Sequence, residues 1–204
     1  MVNLIKSNKN NTLNTISNTL DTVMDKNDYK LEYKNGLYLL NLKQFILVKV
    51  VKVLKENEKL KFNQFIDLTA VDYPNKKNRF EMIYILLSVE FNIRIIIKFF
   101  INENASVDSI TNLFPAANWY EREVWDLFGI AFNNHPDLRR LLTDYGFIGH
   151  PLRKDFPLSG NVEVKYDLNE KKVVYEPVKL TQSFREFDFE SPWKGEKISN
   201  NNNE

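Results

Sequence analysis

The stretch FNQFIDLTAVDYPNKKNRFEMIYILLSVEFNIRIIIKFF, residues 62–100, decides the fold. Three β-branched and aromatic runs lie close together in it. Phe62–Val71 ends at the breaker Asp72-Tyr73-Pro74, Arg79–Ser88 sends Phe80, Met82, Tyr84 and Leu86 to one face, and Phe91–Phe100 follows a turn at Glu90-Phe91-Asn92. Parallel neighbours would need crossovers of about a dozen residues or more. The gaps here are too short, so the spacing predicts an antiparallel meander.

Upstream, Tyr29–Tyr33 and Leu37–Leu40 flank Lys34-Asn35-Gly36. Asn-Gly tolerates the positive φ of a tight turn, which predicts a hairpin. Leu42–Leu54 carries a helical stripe at Leu42, Phe45, Ile46, Val50, Val53 and Leu54, although Ile46–Val53 is also rich in strand-forming valine. Ile16, Leu20, Val23 and Met24 suggest a short amphipathic helix after a polar, Asn-rich segment, residues 1–15, expected to be mobile.

Downstream, 106–114 reads as a short helix or turn. Ala116–Gly129 is the strongest helix, with Asn118 and Glu121 spaced as a capping box and Gly129 placed to end it. Its buried face is expected to be Tyr120, Val124, Leu127 and Phe128. From His135 to Pro157, Pro, Gly and charge imply loop. Val162–Tyr166 and Val173–Tyr175 form a candidate hairpin around Asn169-Glu170. Helices segregated from a run of strands predict an α+β fold: a small mixed or antiparallel sheet with helices packed on it, then an extended C-terminal arm. The expected division is 1–15, 16–130 for the α+β domain, 131–160 as a docking loop block and 161–204 as the arm.

Composition narrows the chemistry. The chain has 204 residues, 43% of them hydrophobic, and a formal net charge of +1, with no concentrated basic patch for nucleic acid. It has no cysteine, so disulfides, thiolate zinc sites and Cys-held iron–sulfur clusters are excluded. The 6 glycines are scattered and form no dinucleotide or phosphate-binding loop. The most apolar stretch, Ile93–Ile101, is broken by Arg94 and Lys98 and falls short of a membrane span. The N-terminus lacks the apolar core of a secretory signal and the arginines of an import presequence.

The charged block 118–157 is where function is to be sought. It holds Glu121, Arg122, Glu123, Asp126, His135, Asp137, Arg139, Arg140, Asp144, His150, Arg153, Lys154 and Asp155. His135 and His150 each precede Pro and lack the spacing of a metal pair. Glu121 and Glu123 diverge on a helix, while Arg122 and Asp126 are i,i+4 neighbours able to pair locally. No nucleophile elbow is present. Four of the seven arginines lie between 122 and 153, so the block is expected to dock a partner rather than to react. Reversing Arg139 and Arg140 together is expected to impair assembly. In the tail, Phe184, Phe187, Phe189 and Trp193 alternate with charges, a pattern suited to a partner surface.

The string NWYEREVWDLFGIAFNNHPDLRRLLTDYGFIGHPLRKDFPLSG, residues 118–160, resembles the signature of the 30-kDa subunit family of respiratory complex I, called the C-subunit in bacteria and subunit nine where mitochondria encode it. Glu121-Arg122-Glu123 matches its ERE, and His135-Pro136-Asp137-Leu138-Arg139-Arg140 its HPDLRR. Asp144-Tyr145-Gly146-Phe147 and Gly149 through Asp155 match the remainder, with similarity extending to DLTAVDYP (67–74) and YEPVKLTQSFREFDFESPW (175–193). Ile148 departs from the family, which usually carries Glu there.

The resemblance implies a non-catalytic subunit of the hydrophilic arm, docked on the quinone-pocket (49-kDa-type) subunit with its C-terminal arm wrapping that partner. It implies no flavin or cluster in this chain; NADH, FMN, iron–sulfur clusters and ubiquinone are handled by other subunits. With the Asn-rich composition it points to the matrix side of the mitochondrial inner membrane and to a mitochondrial gene. The competing readings are a homologous subunit of a membrane-bound hydrogenase, and a free-standing hydrolase using His135 or His150.

Overall fold

The computed structural model describes residues 2–182, with side chains from residue 10 onward. The chain divides into two compact units, residues 1–158 and 159–204.

The first unit is built on a five-stranded sheet. The elements in order are α1 (Val2–Leu20), β1 (Tyr29–Lys34), β2 (Leu37–Leu42), α2 (Leu47–Glu56), β3 (Gln64–Asp72), β4 (Phe80–Ser88), β5 (Ile93–Ile101), β6 (Val107–Asp108), α3 (Ala117–Phe128) and β7 (Phe132–Asn133). The meander is as expected: β3–β4 and β4–β5 are antiparallel, with Tyr84 facing Leu68 on one side and Ile97 on the other. The β1–β2 hairpin turns at Asn35 and Gly36, both at positive φ (53° and 87°). What periodicity did not show is its place. Strand order is β1-β2-β5-β4-β3, and β2 runs parallel to β5, with Leu40 opposite Ile97. The segment from α2 through β4 supplies the long connection that a parallel pair requires.

The sheet's inner face and all three helices share one core. Leu40, Phe80, Met82, Tyr84, Leu86, Ile95 and Ile97 meet Ile16 and Leu20 of α1, Val50, Val51 and Leu54 of α2, and Val124 and Phe128 of α3.

Three local expectations are corrected. α1 begins at Val2, not near Ile16, and takes in most of the segment expected to be mobile. Leu13, Ile16 and Leu20 continue one apolar stripe, while the hydroxyls of Thr15 and Thr19 bond back to the carbonyls four residues earlier, so polar composition does not prevent the helix. α2 begins at Leu47, because Leu42 closes β2 and Gln44–Ile46 forms a short 3₁₀ turn. In the segment 106–114, Ile110–Phe114 forms the expected turn, but residues 107–108 form a strand, β6, parallel to β7, with Val107 paired to Phe132 and both buried.

The second unit contains the expected hairpin, β8 (Val162–Asp167) and β9 (Lys172–Pro177). Its Val164–Tyr175 and Tyr166–Val173 pairs carry exposed side chains. The tail aromatics Phe184, Phe187, Phe189 and Trp193 lie outside the described residues.

Candidate docking site

α3 organises the charged block. The helix starts after Pro115 and has Ala116 at its N-cap, with no side-chain cap. The expected capping box is therefore absent. Glu121 instead lies on the inward stripe Ala117, Glu121, Val124 and Phe128, fully buried. One of its oxygens accepts the Ile110 N–H at 2.8 Å, tying α3 to the segment after β6. The other has no hydrogen-bond partner, and its closest cationic candidate, His135 Nε2, is 3.9 Å away. Burial is the dominant cause that pushes the Glu121 carboxyl up to about 7, opposed by bonds from Ser109 and the Ile110 backbone. The buried Tyr84 hydroxyl also lacks a partner, and burial raises it well above the usual phenol value, with the charge of Glu121 adding to the effect.

Asp126 is the second internal carboxylate, fully buried one face round the helix. Its Oδ2 accepts the backbone N–H groups of Leu141, Leu142 and Thr143 at 3.0, 2.7 and 2.9 Å. Its Oδ1 accepts Arg140 Nη1 at 2.8 Å and the Thr143 hydroxyl at 2.5 Å. Burial works to raise this carboxyl. The bonds from the Thr143 hydroxyl and the three amides outweigh it and hold the group far below the ordinary carboxylate range. Arg122 does not pair with Asp126. It donates to the carbonyls of Arg139 and Arg140, both at 3.1 Å, from the other side of the same loop.

The two histidines sit at opposite ends of the helix. His135 accepts the Asp137 N–H at Nδ1 and therefore donates from Nε2 to the Asn118 carbonyl at 3.1 Å. His150 donates from Nδ1 to the Asp126 carbonyl at 2.9 Å, its ring lying where a Cβ on Gly129 would be. Gly129 closes the helix at φ 78°, as the sequence implied.

A clamp missed by sequence reading fixes the end of the block. Arg79, just before β4, grips buried Asp72 with two bonds, at 2.7 and 2.9 Å. It also reaches Asp155 at 3.0 Å and Glu103 at 3.1 Å. Arg153 shares Glu103 at 3.0 Å and donates to the Phe128 carbonyl at 2.7 Å, while Lys154 donates its backbone N–H to Asp72 at 2.7 Å. The hydrogen bonds of Arg79 hold the carboxyls of Asp72 and Asp155 below their usual range, and those carboxylates in turn raise the guanidinium. The available signal was parity: Leu68, Ala70 and Asp72 fall on the same, buried face of β3.

Seven residues expected to face a partner are thus engaged inside the chain. Glu121, Arg122 and Asp126 are buried, and His135, Arg140, His150 and Arg153 hold neighbouring loops through backbone or carboxylate bonds. Charged groups enter a fold this way when each is hydrogen-bonded. Asp137, Arg139, Asp144, Lys154 and Asp155 remain exposed and Glu123 is half-buried. Arg139 pairs at the surface with Asp137 at 2.8 Å, a contact worth little in water. Ile148 is 86% exposed.

Together α3 and the 138–147 loop enclose an open groove of about 600 Å³. Trp119, Trp125, Tyr145 and Phe147 line it with Arg122, Arg139 and Arg140. The Arg122 guanidinium lies 5.1 Å from the Trp119 ring centre, and that of Arg140 lies 5.7 Å from Trp125 and 5.6 Å from Phe147. Trp119 is 59% exposed and Tyr145 is 96% exposed. Among the described residues no group of His, Asp or Glu converges as a metal site.

Residues 40–162, from β2 through this whole block, match the family described as the respiratory-chain NADH dehydrogenase 30 Kd subunit. The chain belongs to that family. Family members similar to it include the NADH-ubiquinone oxidoreductase subunit 9 of Reclinomonas americana, 54% identical over 173 residues and covering 85% of each chain. The NADH-quinone oxidoreductase C-subunit of Paramagnetospirillum magneticum is 54% identical over 160 residues, 78% of this chain and 80% of that one. The C-subunit of a Methylobacterium species is 58% identical over 149 residues, 73% and 69% of the two chains. Among solved structures, a chain of the membrane-bound sulfane sulfur reductase, an archaeal respiratory membrane complex, has a TM-score of 0.60. It is 24% identical and covers 71% of this chain and 85% of its own, a likeness of fold. No helix among the described residues is long and apolar enough to cross a membrane.

Proposed function

We propose that this member of the 30-kDa family is a non-catalytic core subunit in the peripheral arm of respiratory complex I, docked on the quinone-pocket subunit. The observation that carries the reading is the groove on α3. Its charged base is consumed by internal bonds that fix the loop, and it presents exposed Trp119, Arg139 and Tyr145 on a rigid support. Aromatic and arginine side chains held in place are what interface hot spots are made of. The same residues offer no nucleophile beside a base. Glu121 and Asp126 are enclosed, and the two histidines hold carbonyls at opposite ends of one helix.

In this reading the chain binds no flavin, cluster or metal. Electrons from NADH reach ubiquinone through FMN and iron–sulfur clusters in other subunits, while this chain holds the quinone module in shape. Its place is the matrix side of the mitochondrial inner membrane, and its C-terminal arm adds a second hold on the same partner. The relatives named as NADH-ubiquinone and NADH-quinone oxidoreductase subunits support the assignment.

The test is affinity purification of the tagged chain from mitochondrial membranes, beside Arg139→Glu and Trp119→Ala variants. Arg139 is changed alone, because Arg140 is bound to buried Asp126 and its reversal would disturb the fold. The expected result is recovery of peripheral-arm subunits with NADH:quinone activity. Each variant should lower recovery of the partner without lowering the melting temperature of the free chain. Recovery of the chain alone, with a bound metal or hydrolytic activity of its own, would overturn the proposal.

A further inference from the structure

The strands β4 and β5 contain the near-continuous apolar runs MIYILL (82–87) and IRIIIKFFI (93–101). Such runs belong to strands covered on both faces, whereas a sheet with one solvated face alternates apolar with polar residues. Among the described residues of the first unit, only the inner face is covered by the core. Leu39, Ile83, Ile85, Leu87 and Ile96 point outward, half-buried, and neither belong to the core nor pack against it. The register sets them side by side: Leu39 beside Ile96, Ile96 beside Ile85, and Leu87 beside Arg94.

The charges around this apolar stripe are unbalanced in a definite way. Glu32 is bonded to Lys30, and Glu81 is paired with Lys98 at 3.6 Å and accepts the Tyr73 hydroxyl at 3.1 Å. Asp67 accepts the Leu68 N–H at 2.8 Å. Glu32 and Glu81 therefore each already face a cation, while Asp67 holds only a backbone amide. Lys34 and Arg94 are exposed at the same end of the sheet, and among the described residues neither has a carboxylate within 4.0 Å.

We propose that this outer face is a second docking surface, occupied by another subunit of the complex through an apolar patch with carboxylates at the end that meets Lys34 and Arg94. The proposal rests on the subunit reading above and adds the face, the chemistry and the polarity of the contact. Covering the stripe removes apolar area from water at about 25 cal/mol per Å². Carboxylates at the rim orient the partner more than they tighten it.

The experiment places the photo-reactive substitution Ile85→p-benzoylphenylalanine in the chain, irradiates the assembled complex in native membranes, and sequences the cross-linked peptide. An Ile83→Thr/Ile85→Thr double variant and an Arg94→Glu variant are purified from membranes in parallel, with Arg139→Glu in the α3 groove as comparison. Threonine keeps strand propensity. The expected result is one cross-link, to an apolar segment flanked by Asp or Glu in a different subunit. Incorporation should fall at least about tenfold for the double variant, equivalent to about 1.4 kcal/mol. Arg94→Glu should also reduce it, with unchanged circular dichroism for both free chains. A cross-link to residues 159–204 of the same chain, to a second copy, or to nothing, with normal incorporation of both variants, would overturn the proposal. If Arg139→Glu alone blocks incorporation, the subunit reading survives and the outer face is wrong. If the wild-type chain joins no complex, both readings fail.

Discussion

Replacing Asp126 with Asn tests the claim that the charged block is a fold-internal scaffold. The substitution keeps the shape and removes the charge. In the native chain five donors converge on this carboxylate: three consecutive amides, the Thr143 hydroxyl and the Arg140 guanidinium. An amide has one oxygen to accept them, and its NH₂ would point at donors. At least one buried N–H then loses its acceptor, at about 1–3 kcal/mol. Arg140, whose side chain is 22% exposed, also loses its counter-ion. Breaking a buried pair costs about 3–5 kcal/mol, and part of that is recovered where water reaches the guanidinium. Together they give about 3–5 kcal/mol, a large part of a domain's typical stability of ~5–15 kcal/mol. Urea unfolding of the free chain at pH 7 measures it. The acid limb gives a second reading. The folded-state pKa of Asp126 is depressed, so its stabilisation is fully present above the unfolded aspartate value and is lost as pH falls through the folded one. Asp126→Asn should flatten that limb. A change below about 0.5 kcal/mol, with the wild-type acid slope retained, would refute the reasoning, since that is the range of an ordinary surface substitution.

Glu121 gives the opposite sign. Its folded value is raised to about 7, so its contribution is favourable when protonated and declines as pH rises from the unfolded carboxylate range toward 7. Glu121→Gln should abolish that decline and be more stable than wild type at pH 8, measured by thermal unfolding across pH 5–8. Arg79→Met leaves buried Asp72 without its two-bond partner and should cost about 3–5 kcal/mol, with faster proteolysis near Lys154 and Asp155 as the local readout. Gly129→Ala forces a side chain into left-handed backbone, at about 1–2 kcal/mol, and sets its Cβ 2.6 Å from the His150 ring. Lowered melting temperature with displaced His150 resonances would show both effects.

The elements legible in the sequence are those specified by local signals. β-branched and aromatic runs separated by short gaps mark β3, β4 and β5, Asn35-Gly36 marks the first hairpin, and Gly129 marks the end of α3. The parallel β2–β5 pair is not legible, because residues 38 and 95 carry no sign of their partnership. Composition singles out the charged block, but three of its residues expected at the surface, Glu121, Arg122 and Asp126, are buried. Charged residues are seldom fully buried, so Glu121, Arg122 and Asp126 read as surface. Two patterns argue otherwise. Glu121 falls on the same helical stripe as Ala117, Val124 and Phe128, and Asp126 has a turn of donors folded over it by the residues after Pro136. The first is visible in the sequence; the second arises only when the loop closes.

Strand order also bears on how the chain is made. β5 is the last of the five strands to leave a ribosome, and it is the one in the middle, with β2 on one side and β4 on the other. Without β5 the strand order leaves two separate hairpins, β1–β2 and β3–β4, each with an edge where the same missing strand belongs. Open edges of this kind invite pairing with other chains. A message truncated or stalled before residue 101 therefore yields a sticky product rather than a smaller folded one, and β5 acts as the keystone whose arrival closes the sheet.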